Sequence, residues 1–109
     1  VNEHVDAVFD ALGDPLRRRV FDAVAATGPV TATELAGGLP VTRQAVTKHL
    51  NVLAGAGLVT STRSGRENRY VAVPDALADA RVWLDEVGRR WDDRLRALRR
   101  HVEGGSPTN

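Results

Sequence analysis

Glycine and proline stop this chain at short intervals between Gly13 and Pro74, so no segment there has room for more than a short helix or strand. The stops are Gly13-Asp14-Pro15, Gly28-Pro29, Gly37-Gly38-Leu39-Pro40, Gly55-Ala56-Gly57 and Ser64-Gly65. From Asp75 to Val102 the chain then runs with no proline and one interior glycine, Gly88, which suits a single long helix.

The pieces between the stops carry their own signals. Val5, Val8, Phe9 and Leu12 share one face of a first helix ending at Gly13. Asp14-Pro15 opens a second, with Asp as N-cap and Pro at the first helical position, and Leu16, Val20 and Val24 form its apolar row. Its Arg17-Arg18-Arg19 run reads as a solvated face, with a phosphate contact as the alternative. Thr31-Ala32-Thr33-Glu34 has the form of a capping box heading a short helix through Leu35 and Ala36, and Thr42 caps another from Arg43 to about Ala54. Two short helices joined by a glycine-containing turn make a helix-turn-helix. Leu58 to Arg63 and Asn68 to Val73 then predict a β-hairpin about Ser64-Gly65-Arg66-Glu67.

Composition matters mainly for what it excludes. With 109 residues there is one domain, and with no cysteine there are no disulfides, thiolate metal sites or thiol nucleophiles. No run is apolar for long enough to span a bilayer and no signal peptide opens the chain, so a cytoplasmic protein without membrane contact is expected. The formal charge is +1, but it is unevenly spread: between Thr42 and Tyr70, Arg43, Lys48, Arg63, Arg66 and Arg69 face only Glu67, a net +4, leaving −3 for the remainder. A basic region on an acidic body directs a polyanion to one side, although charge alone fits a solvated loop equally well.

In the helix from Arg43, Val46, Leu50 and Leu53 share an apolar face, while Gln44, Thr47, Lys48 and Asn51 lie opposite. A polar outer face is ordinary on any surface helix. Here it follows a turn, begins with free amides suited to phosphate, and precedes a basic hairpin. Of the histidines, His4 is expected to be solvated and His101 to answer the helix dipole. His49 is left between a phosphate contact and packing against its neighbours. No nucleophile has an identifiable base, so no enzyme and no cofactor are expected.

Ala11-Leu12-Gly13-Asp14-Pro15-Leu16-Arg17-Arg18-Arg19, the stretch Thr42-Arg43-Gln44-Ala45-Val46-Thr47-Lys48-His49-Leu50, Leu53-Ala54-Gly55-Ala56-Gly57-Leu58-Val59 and Arg63-Ser64-Gly65-Arg66-Glu67-Asn68-Arg69-Tyr70 together resemble the ArsR-type winged-helix repressors of bacteria. The resemblance spans Val5 to Val102. It implies a mainly α fold with a small β-hairpin wing, a winged helix-turn-helix over residues 1–103 with a disordered tail at 104–109, dimerising through its terminal helices and repressing from a palindromic double-stranded operator. It makes Arg43, Gln44, Thr47, Lys48 and His49 DNA contacts, with Arg66 and Arg69 on the wing; Thr42, Asn51 and Arg63 join them from the pattern above. Metal-sensing relatives use cysteines, or His and acidic residues on the last helix. This chain lacks the former, and His101 has no Asp-x-His partner, so the resemblance is to the metal-independent branch, and no metal is expected. The rival reading is a winged-helix module that binds protein.

Leu77, Ala80, Leu84, Val87, Trp91, Leu95, Leu98 and Val102 step by three or four along the last helix. A stripe this long should meet a second copy, so Leu84, Val87, Gly88, Trp91, Leu95 and Leu98, with Val5, Val8 and Phe9 of the first helix, are expected at a dimer interface. Gly88 would permit close approach. The alternative is that the stripe docks within the monomer, with Trp83 and Trp91 in the core. An inducing signal, small molecule or protein, would act by altering the packing of these helices.

Overall fold

In the computed structural model, which describes residues 3–104, the order is α1 (Glu3–Leu12), α2 (Pro15–Thr27), α3 (Ala32–Gly37), α4 (Arg43–Gly55), β1 (Val59–Ser64), β2 (Glu67–Ala72) and α5 (Ala78–Gly104). Gly104 closes α5, and residues 105–109, assigned above to a disordered tail, lie outside the described residues. Among the described residues no helix is long and apolar enough to cross a membrane.

The local signals act as caps. The Asp14 carboxylate accepts from the amides of Leu16 and Arg17 at 2.8 and 3.1 Å and starts α2 with Pro15 in the first turn. The Arg17 amide bond, then the Leu16 bond and the nearby charges of Arg17 and His49, hold the Asp14 carboxyl below the usual carboxylate range despite some desolvation. The arginine run serves α1: Arg17 Nη1 donates to the Ala11 carbonyl at 3.0 Å and Arg18 Nη1 to that of Leu12 at 2.6 Å, satisfying carbonyls that the last turn of α1 leaves open. The capping box at α3 is reciprocal, with Glu34 N donating to Thr31 Oγ1 at 3.1 Å and Thr31 N to Glu34 Oε1 at 2.9 Å. At the end of α4, Gly57 adopts a φ of 76°, its N–H reaches the Ala54 carbonyl and the Leu58 N–H reaches that of Leu53. Those two bonds make a Schellman close, which turns the chain sharply into β1.

Val8, Ala11, Val20, Val24, Val30, Leu35, Val46, Leu50, Leu53, Leu58, Val59 and Tyr70 form one core shared by α1 to α4 and the base of the hairpin. The hairpin pairs Val59 with Ala72 through to Ser64 with Glu67, leaving Gly65 and Arg66 as a two-residue turn. Gly65 has a φ of 64° and Arg66 does not have a positive φ, the pattern of a II′ turn. A further bridge was not visible in sequence: Val30 and Tyr70 exchange backbone bonds of 3.1 and 2.8 Å, fastening β2 to the loop before α3.

The structure corrects several expectations. Val5 and Val8, expected at a dimer interface, are already closed inside the chain, Val8 with 1% of its surface left. His4 is not merely solvated, since its Nε2 lies 3.4 Å from the Ala76 carbonyl oxygen and its ring lies over Gly57. The long helix begins at Ala78 rather than near Asp75, because residues 74–77 form turns, closed by the Ala76 N–H on the Val73 carbonyl and the Ala78 N–H on the Asp75 carbonyl. The intramonomer alternative for the stripe fails. Ala80 is buried, Leu77 and Val87 are half-buried, but Trp83, Leu84, Leu95 and Val102 are exposed, Trp91 keeps 63% of its surface and Leu98 59%. Phe9 meets the edge of Trp83, at 5.4 Å between ring centroids, and keeps 38% of its surface exposed. The helix projects from the domain and gives a molecule 79 Å long and 27 Å wide, with a radius of gyration of 20.4 Å, against about 13 Å for a compact domain of this size.

Two outcomes follow from this packing. Leu50→Ala, which empties a fully buried site under α4, lowers unfolding free energy in urea by about 2–5 kcal/mol; a loss near zero would mean that α4 is not seated on this core. Glu34 is held below the usual carboxylate range by the Thr31 amide first, then the Thr31 hydroxyl and the charge of Arg69, against some desolvation. A lowered carboxylate stabilises the fold above its unfolded pKa and loses that contribution as pH falls through the folded value. Glu34→Gln therefore flattens the decline in stability as the pH falls through and below the ordinary carboxylate range, and an unchanged acid limb would contradict the assignment.

Candidate nucleic-acid interface

Whatever α4 presents to solvent is fixed by what it buries. Val46, Leu50 and Leu53 have no surface left, and at 3.6 residues per turn the opposite side must then carry Gln44, Lys48 and Asn51. Arg43, Gln44, Thr47, Lys48 and Asn51 do line one shallow hollow on that side. Gln44, Lys48 and Asn51 are exposed, and among the described residues none of their polar heads bonds to another part of the chain. Thr47 differs: it is half-buried and its hydroxyl donates to the Arg43 carbonyl at 3.0 Å. Thr42 accepts the Ala45 amide at 3.1 Å with its hydroxyl oxygen, so it caps α4 and keeps its own proton for an outside acceptor.

The wing meets this face at a corner. Arg43 and Thr47 also border a polar cleft of about 450 Å³ whose other walls are Thr31, Thr33 and Glu34 of the α3 start and Arg66, Asn68 and Arg69 of the hairpin. The sequence marks Thr31 and Thr33 only as part of a capping box and Asn68 only as part of the hairpin, not as lining this face. Asn68 pairs across the hairpin with Arg63, and only the folded wing brings it over α3. Arg43, Lys48 and Arg66 are exposed and, among the described residues, unpaired with any carboxylate.

The remaining predicted contacts have partners or neighbours within the chain. Arg69, on the wall of the cleft, is engaged on both sides, with Nη2 at 3.0 Å from Glu67 on its own strand and Nη1 at 3.4 Å from Glu34, which ties β2 to α3. It acts as a strut at the foot of the wing. Arg63 turns its Nε onto the Gly65 carbonyl at 3.2 Å. His49 is half-buried on the flank of α4 away from Gln44 and Asn51, close enough for its charge to act on Asp14. Packing, the second of the two roles left open for it, describes its position. The geometry brings together Thr42, Arg43, Gln44, Thr47, Lys48, Asn51 and Arg66, with Arg69 on the wall of the wing cleft, and leaves His49 and Arg63 out.

A polar, cation-bearing helix face of this size, with a projecting basic turn beside it, is built to enter a groove of duplex DNA rather than to enclose a small substrate. Known proteins agree. A helix-turn-helix domain family matches residues 12–62, from the end of α1 into β1. An HTH-type transcriptional regulator of Mycobacterium tuberculosis is 40% identical over 85 residues, covering 78% of this chain and 78% of that protein. The transcriptional repressor SdpR of Bacillus subtilis is 30% identical over 88 residues, covering 81% and 97%. Among solved structures, an ArsR-like transcriptional regulator from Rhodococcus sp. RHA1 superposes with a TM-score of 0.77 at 39% identity, covering 90% of this chain and 92% of that one. These relatives are regulators and not enzymes. The chain belongs to the ArsR-type winged helix-turn-helix family of DNA-binding transcriptional regulators.

Proposed function

We propose that this protein is a homodimeric repressor that binds a palindromic operator in the bacterial cytoplasm, α4 entering the major groove and the Arg66 turn gripping the adjacent backbone. The observation that carries the reading is the outer face of α4, where Gln44, Lys48 and Asn51 are exposed and unbonded beside the unpaired cations Arg43 and Arg66. Repression is supported by the kinship with SdpR, a protein named as a repressor. We place the chain in the metal-independent branch on its sequence, which contains no cysteine.

The second copy is argued from α5. Leu84, Trp91, Leu95, Leu98 and Val102, with half-buried Val87 and with Gly88 open beside them, form an apolar stripe that the chain's own domain does not cover; Phe9 and Trp83 extend it onto α1. Charge along α5 is segregated. Asp79, Asp85, Glu86, Asp92 and Asp93 outnumber Arg81, Arg89 and Arg90 in the first part, whereas Arg94, Arg96, Arg99 and Arg100 face only Glu103 afterwards. Two antiparallel copies would set the acidic part of each against the basic part of the other, which favours a second copy of this chain as the occupant. A two-fold pair of this kind presents its α4 helices to major grooves about 34 Å apart.

Leu98→Glu, on a side chain that keeps 59% of its surface exposed, should keep the circular dichroism of the parent while light scattering shows a monomer and operator affinity falls at least about tenfold. A variant that remains dimeric would contradict the interface. Arg66→Ala should weaken all duplexes alike and reduce the salt dependence of binding by about one unit of slope. An unchanged slope would remove the wing from the backbone.

A further inference from the structure

Resting on the DNA-binding reading, the face of α4 also carries information about which bases it would accept. Of the residues on or beside that face, several have committed their polar groups: the Thr47 hydroxyl to the Arg43 carbonyl, Arg69 to Glu34 and Glu67, Arg63 to the Gly65 carbonyl, and the Thr42 oxygen to the Ala45 amide. Arg43 stands in the first turn at the corner of the wing cleft, where a phosphate would be met. With Arg66 out on the wing turn, three heads remain on α4 itself that are exposed and without a partner among the described residues: Gln44, Lys48 and Asn51.

Their spacing matches a ladder of base edges. At about 100° per residue the three fall within an arc of about 60°, and at about 1.5 Å per residue they span about 10 Å, or three base-pair steps of about 3.4 Å. Their chemistries differ in a way the major groove can distinguish. The carboxamides of Gln44 and Asn51 each offer a donor beside an acceptor, which fits the N6–H and N7 of adenine and leaves an acceptor opposed to O6 on guanine. The Lys48 ammonium offers donors only, which suits O6 and N7 of guanine and is repelled by the amino group of cytosine. Among the described residues no carboxylate lines this hollow to accept from cytosine, Glu34 and Glu67 lying in the wing cleft instead.

We propose that each operator half-site contains, within about four base pairs, two A·T pairs whose adenines are held by Gln44 and Asn51 and, between them, a G·C pair whose guanine is held by Lys48. Selection of bound duplexes from a random pool, using the full chain, should enrich inverted repeats with this adenine–guanine–adenine arrangement. Gln44→Ala, Lys48→Ala and Asn51→Ala, all at exposed helix positions, should each erase preference at one position only, with affinity for the selected site falling about 5- to 100-fold. Affinity for a duplex already changed at that position should stay as in the parent. Replacing the guanine by 7-deazaguanine should weaken the parent protein and leave Lys48→Ala unaffected. Enriched repeats without these purines, or variants that lose affinity equally for every duplex, would overturn the base assignment while leaving operator binding intact. Failure to enrich any inverted repeat would instead remove the reading on which the assignment rests.

Discussion

Burial of Val46, Leu50 and Leu53 against the shared core is the constraint from which the functional surface follows. Once those three side chains lose their water, α4 cannot rotate about its axis without exposing apolar area, which costs about 25 cal/mol per Å². Gln44, Lys48 and Asn51 are thereby held outward as rigidly as the core is packed. The Thr42 cap at one end and the Gly57 close at the other fix where the helix starts and stops, so orientation and reach are both set locally.

The wing is positioned by a different kind of contact. A two-stranded ribbon is marginal on its own, and here it is held at its base by Leu58, Val59 and Tyr70 in the core, by the Val30 bridge, and at its edge by Arg69 reaching Glu34. Glu34 therefore serves twice, closing the α3 capping box and receiving the strut from β2. Both Arg69 pairs are exposed, so their contribution to stability is small; only the one with Glu34 links the wing to another element.

Much of this was legible in the sequence, because the signals were local. The N-caps Asp14, Thr31 and Thr42, the stops at Gly13, Gly28 and Gly57, and the turn at Gly65 each act within a few residues, and the elements appear in the expected order, with the strands displaced by one residue and α5 starting and ending later. What was not legible depends on contacts distant in sequence. Nothing near Arg69 indicates that Glu34 will lie beside it, nothing near Val30 announces a bridge to Tyr70, and the Arg17-Arg18-Arg19 run gives no sign that two of its members will cap α1. The helical period also could not decide whether Val5 and Val8 or Phe9 would face outward, since all lie on one apolar face. Only the packed domain shows that the first two are consumed by the core.

The central claim is that DNA meets the outer face of α4 and the wing turn. Backbone amide spectra of the full chain, recorded while an operator duplex is added, test it most directly. The account predicts the largest shifts at Thr42, Gln44, Lys48, Asn51 and Arg66, with His49 and the middle of α5 little changed. Shifts concentrated on α5, with α4 silent, would contradict it.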